Sequence, residues 1–131
     1  MLFDQIFLNQ LSQSASENPR LRMSFDLRNS EKDGSQRILN ALHPGTVVPI
    51  HRHPSTAETL IMVRGRVCQK FYNDKGEVIS SFLLEAGGDC MAMQIPAGQW
   101  HSLECLEEGT VIFEAKDGAY VPISPEDLLI L

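Results

Sequence analysis

The stretch Gly45-Thr46-Val47-Val48-Pro49-Ile50-His51-Arg52-His53-Pro54-Ser55-Thr56-Ala57-Glu58 decides how the rest of the chain is read. His51 and His53 lie two apart, and in an extended strand residues i and i+2 point to the same face. Two imidazoles therefore converge on one side. Glu58 follows a short turn containing Pro54, which lets its carboxylate return toward them. Far downstream, Pro96-Ala97-Gly98-Gln99-Trp100-His101 sets another histidine at the start of a strand. Histidine supplies a neutral nitrogen donor and glutamate a hard anionic oxygen, a set that suits divalent Zn, Fe, Ni, Mn or Cu. The competing reading is four unrelated polar residues at loop ends. It sits poorly with a chain that has 4 histidines in all, three of them in this pattern.

Outward from this stretch, short apolar runs alternate with turn signals. RMSFDLR from Arg22 alternates loosely, and Asn29 to Ser35 is a polar loop. QRILNALH from Gln36 is ambiguous by propensity, but the following Pro44-Gly45 turn favours a strand. TLIMVRGRVCQKFYNDKGEVISSFLLE reads as two or three strands, broken at Gly65 and turned at Asn73-Asp74-Lys75-Gly76. MAMQIP, WHSLEC and TVIFEAK complete the series. Strands this short, about 8 to 12 residues apart, predict an all-β sandwich or barrel.

The N-terminus differs. Phe3, Phe7 and Leu11 recur every four residues, with Leu2, Ile6 and Leu8 beside them, which is helical spacing. Asn18-Pro19 ends it, because the residue before proline resists helical geometry. Residues 1–20 are therefore expected as a helical segment packing on a single barrel domain of residues 21–131.

Composition narrows the partners. The chain has 131 residues, 17 acidic against 11 basic, and a formal net charge of -6. Nucleic-acid binding runs on clustered Lys and Arg, so this class is set aside. No run approaches the length of a membrane span, and no basic n-region or cleavage site marks a signal peptide. Cys68, Cys90 and Cys105 form no CxxC pair and no even framework. The reading is three reduced thiols in a cytoplasmic protein.

Gly45-x5-His51-x-His53-x4-Glu58-x6-Gly65 resembles the first cupin motif, and Gly88-x7-Pro96-x-Gly98-x2-His101 resembles the second. The resemblance implies a double-stranded β-helix, or jelly-roll barrel, behind a short N-terminal helix. It also implies one divalent transition metal (Zn, Fe, Ni or Mn) held by His51, His53, Glu58 and His101. Two departures stand out. The gap from Gly88 to Pro96 is two residues longer than the usual pattern, and Cys105 stands where an Asn commonly follows the last histidine. A closer similarity runs over most of the chain, through Gln36-Arg37, Leu39-Asn40-Ala41-Leu42, His51-Arg52-His53-Pro54, Arg64-Gly65-Arg66, Ile95-Pro96-Ala97-Gly98 and Phe113-Glu114-Ala115-Lys116. It is similar to the WbuC-type cupin metalloproteins of bacteria, which are associated with surface-polysaccharide gene clusters.

Four ligands on a metal that prefers six leave two positions for a small-molecule ligand. Asn40, Arg37, Cys105, Trp100 and Glu114 are the pocket candidates. Asn40 faces either neighbouring backbone or the ligand. Arg37 would hold an anion by bidentate contact. Cys105 is a pocket thiol or a small hydrophobe. Trp100 would stack a sugar ring or pack a core edge. Glu114 is a candidate base. Arg64 and Arg66 read as solvated rim charges, and Tyr120 as a cover for the barrel mouth. Three functions fit: a metal-dependent isomerase or epimerase acting on a sugar or nucleotide sugar, a ferrous-iron dioxygenase, and a non-catalytic sugar or metabolite binding module. A homodimer that hides Phe3, Phe7 and Leu11 is the expected assembly.

Overall fold

Alternation of side chains in strands, with period two, organises the molecule. The computed structural model describes residues 1–130; the last residue of the expected 21–131 domain lies outside the described residues. A helix α1 (Gln5–Glu17) precedes strands β1 (Arg22–Asp26), β2 (Ser35–Leu42), β3 (Ile50–His51), β4 (Glu58–Arg64) and β5 (Arg66–Tyr72). Then come β6 (Val78–Glu85), β7 (Ala92–Ile95), β8 (Trp100–Cys105), β9 (Thr110–Asp117) and β10 (Leu128–Leu129). They form two five-stranded sheets, β1-β2-β9-β4-β7 and β10-β3-β8-β5-β6, with neighbours antiparallel. This is the jelly-roll architecture expected.

The first sheet uses its two faces differently. One face of β1, β2 and β9 carries Met23, Phe25, Leu39, Ala41, Val111 and Phe113, and α1 packs on it through Leu8, Leu11 and Ala15. Each buried leucine there contributes roughly 1.5–3 kcal/mol. Asp4 caps the helix by accepting from the Phe7 N–H at 2.9 Å. The opposite face looks between the sheets. At one end of that space Leu42, Leu60, Met62, Val67, Leu84, Cys105 and Ile112 close a dry core. At the other end the interior turns polar.

Several expectations are corrected here. Three strands fill the segment from Thr59 to Glu85, the larger of the two counts expected, while the short β3 and β10 carried no legible signal. The helical stripe is already occupied: Leu8 and Leu11 are buried in the chain's own sheet, while Met1, Leu2 and Ile6 stay exposed. Arg64 is no rim charge. Its guanidinium donates to Gln5 Oε1, Asn9 Oδ1 and Ser12 Oγ at 2.8–2.9 Å and to the Gly109 carbonyl at 2.7 Å, which pins α1 to the barrel. Gly65, between β4 and β5, has φ +83°, and a Cβ there would lie 2.8 Å from Thr110 Cα. Only glycine admits that turn. No helix among the described residues is long and apolar enough to cross a membrane.

Candidate metal centre

Strand register brings the histidines together. His51 on β3 lies directly opposite His101 on β8. His53 stands just past β3, and its carbonyl accepts from the Gly98 N–H at 2.8 Å, so the two glycine- and proline-marked turns are tied to each other. One donor atom from each of His51, His53 and His101 lies within 4.8 Å of the others. Two of the rings are oriented by backbone. His51 Nδ1 meets the Pro49 carbonyl and His101 Nδ1 the Gln99 carbonyl, each at 2.8 Å. An N–H at Nδ1 leaves the Nε2 lone pair for the site, the arrangement that metal-binding histidines use.

Glu58 comes from the other sheet. Its Oε2 is 3.3 Å from His101 Nε2 and 3.6 Å from His53 Nε2. It starts β4, opposite Lys116 on β9, with Leu60 opposite Glu114. Glu58, Glu114 and Lys116 thus share the inner face. Lys116 Nζ lies 3.4 Å from His53 Nε2. Arg52, between the two motif histidines, points outward: it bonds Asp127 Oδ1 at 2.9 Å and stacks 4.4 Å over Trp100, clamping the C-terminal segment beside the site.

Burial sets the charges. It pushes His51 down to about 4, assisted by His101, and His53 to about 3, assisted by Lys116. His101 is lowered too, by burial first. All three imidazoles are therefore neutral donors at neutral pH. Burial raises Glu114 well above the usual carboxylate range, and Glu58 beside it pushes the same way. Asn40 Nδ2 donates to Glu114 Oε1 at 3.2 Å.

His101 Nε2 is buried and has no hydrogen-bond partner among the described residues. An unpartnered nitrogen inside a protein is costly. Here it faces a carboxylate and two further imidazoles, so the donor set fits a divalent metal in its chemistry.

The pocket candidates separate. Asn40 and Glu114 line a cavity of about 300 Å³ together with His51, Glu58 and His101. Tyr120, itself exposed, also lines it. Arg37 points to the other face of β2 and pairs with Asp33 at 2.8 Å. Trp100 is on the outer face of its sheet, with Nε1 donating to Asp74 at 2.9 Å. Cys105 faces inward but belongs to the dry core, its Sγ against the Glu107 carbonyl at 3.2 Å. Sequence reasoning overlooked Lys116, Gln69 and Arg22, all of which border these spaces. The period-two rule would have found Lys116 from Glu114, and Arg22 from Ser24, once the inner face was known.

Comparison with known proteins agrees with this architecture. No curated protein matches the sequence. Among solved structures, the capsular polysaccharide assembling protein CapF from Staphylococcus aureus aligns with TM-score 0.69 and 20% identity, over 87% of this chain and 32% of that one. Oxalate oxidase in complex with the substrate analogue glycolate aligns with TM-score 0.63 and 18% identity, over 83% of this chain and 57% of that one. KdgF from Halomonas sp. aligns with TM-score 0.60 and 15% identity, over 77% of this chain and 82% of that one. The chain thus spans about a third of CapF and just over half of oxalate oxidase. These likenesses show the cupin fold. Residues 3–84 match the family described as a domain of unknown function (DUF6016), and the chain belongs to that family.

Proposed function

We propose that the protein is a metal-dependent small-molecule enzyme of the isomerase or epimerase type, acting on a sugar or nucleotide sugar. His51, His53, His101 and Glu58 would hold the divalent metal. The observation that carries the reading is the convergence of three neutral imidazoles on one buried point, with His101 Nε2 left unpartnered. A bound metal would supply Lewis acidity toward a carbonyl or hydroxyl oxygen. The chain supplies the rest. Burial, and then Glu58 beside it in the same cavity, shift Glu114 toward its protonated form, and Asn40 donates to its Oε1. A carboxyl whose proton affinity is raised near a reacting centre is suited to proton transfer. The dry core closes the cavity's floor against water.

Likeness to WbuC-type cupins in the quoted motifs supports placing this chemistry in surface-polysaccharide metabolism, and the fold shared with a capsule-assembling protein is in keeping with it. A homodimer belongs to the same reading, supported by the exposed Met1 and Leu2 before α1 and the exposed Ile6 on it. The test is turnover. Metal-loaded protein is incubated with a panel of nucleotide sugars in deuterated water, and products are followed by NMR. Solvent deuterium incorporation lost in His51→Ala and in Glu114→Gln supports the reading. Full exchange in both variants sinks it. The ferrous dioxygenase alternative would instead show substrate-stimulated oxygen uptake after anaerobic iron loading. Binding without turnover under either condition would favour the metabolite-binding module.

A further inference from the structure

The cavity beside the histidines contains two polar groups with unmet needs. Gln69 on β5 is fully buried, and its Nε2 donates to the Ser102 carbonyl at 2.9 Å. That bond fixes the amide, so Oε1 is the free end, and it has no partner among the described residues. A buried acceptor with no donor calls for an O–H or N–H from whatever fills the cavity. Arg22 on β1 lines the same cavity and is half-buried. Among the described residues its guanidinium has neither an ion pair nor a hydrogen bond, a state it shares only with the exposed Arg20, whereas Arg28, Arg37, Arg52, Arg64 and Arg66 are all engaged. Three polar neighbours, Ser24, Asn40 and Glu114, are already committed to one another. Asn40 accepts from Ser24 at 3.3 Å and donates to Glu114 at 3.2 Å. Burial first, and then the nearby Arg20, weigh against the Arg22 cation; Glu114 offsets them only in part, and a ligand anion would relieve the remainder.

We propose that this cavity binds a small hydroxylated carboxylate, with Arg22 taking the carboxylate and Gln69 Oε1 accepting a hydroxyl. The proposal rests on reading the three imidazoles as a working metal centre, whose open side this cavity is, and it narrows the substrate class of that site from a sugar or nucleotide sugar to a small hydroxy acid. Its volume of about 300 Å³ sits at the small end for ligand sites. Among the described residues Arg22 is its one lysine or arginine, so a single carboxylate matches better than a phosphate dianion. An acceptor such as Gln69 Oε1 selects for a hydroxyl, because a ligand lacking it leaves the oxygen unpaired.

The test uses matched probes. Glycerate, propionate (the same charge without hydroxyls) and glycerol (hydroxyls without the charge) are titrated calorimetrically into zinc-loaded and metal-free protein. Glycerate is expected to bind about tenfold more tightly than either analogue. Arg22→Gln should weaken glycerate by about tenfold and leave glycerol unchanged. Gln69→Leu should erase the preference for glycerate over propionate; if that buried variant fails to fold, the three probes on wild-type protein carry the same comparison. Glycerate binding no tighter than its analogues, or indifferent to Arg22→Gln, overturns the proposal. Zinc uptake is measured separately in wild type and Arg22→Gln. Failure to take up zinc would end the metal reading, while an Arg22-dependent glycerate preference in metal-free protein would still support the anion site.

Discussion

At the scale of single residues, burial has disabled the protons of the histidines. His51 and His53 hold folded-state values of about 4 and about 3 against an ordinary 6.5. Below about 6.5 the unfolded chain takes up protons that the folded chain refuses, so this contribution to stability is lost as pH falls toward the folded values. Glu114 has the opposite sign, because its raised value favours the folded state as pH falls through it. The comparison of metal-free wild type with His51→Gln isolates one histidine. Melting temperature should fall more steeply below about pH 6.5 in wild type than in the variant. Equal slopes would mean that His51 is not buried neutral. The histidines and Glu58 were legible because the two motifs fix spacing. Lys116, Gln69 and Arg22 were not, because what matters about them is a missing or unexpected partner across the barrel, which only register reveals.

At the scale of elements, the N-terminal helix is held by one cation and a narrow apolar stripe. Arg64 reaches four acceptors on α1 and the β8–β9 loop. Arg64→Ala should cost about 1–3 kcal/mol by removing charged hydrogen bonds, and Leu11→Ala about 2–5 kcal/mol by opening a cavity beneath the helix. Denaturant melts would read both. Neither change should alter metal content, since α1 covers the face of the sheet opposite the histidines. Loss of bound metal in Leu11→Ala, with the fold retained, would show that the helix shapes the site. Most strands were readable from turn residues and alternation. β3 and β10 were not, since two-residue strands carry no periodicity, yet β3 delivers His51 to His101.

At the scale of the whole molecule, the barrel is divided along its axis into a dry half and a polar half. The first sheet supplies Glu58, Glu114 and Arg22, the second supplies His51, His101 and Gln69, and the site exists only where the two faces meet. The all-β class was legible from short strands spaced by turn residues, and the jelly roll only through the resemblance that the two histidine-bearing motifs carry. Self-association through α1 should appear as a dimer in sedimentation at micromolar concentration, and Ile6→Glu should shift it to monomer. A monomer in wild type would leave the exposed Met1, Leu2 and Ile6 unexplained by pairing. The central claim is the metal centre, and elemental analysis of protein purified without added metal tests it most directly. The expected result is one divalent transition metal per folded chain, retained in Arg37→Ala and lost in His101→Ala. Folded wild-type protein that carries no metal, and takes up none of zinc, iron, nickel or manganese when offered, would contradict it.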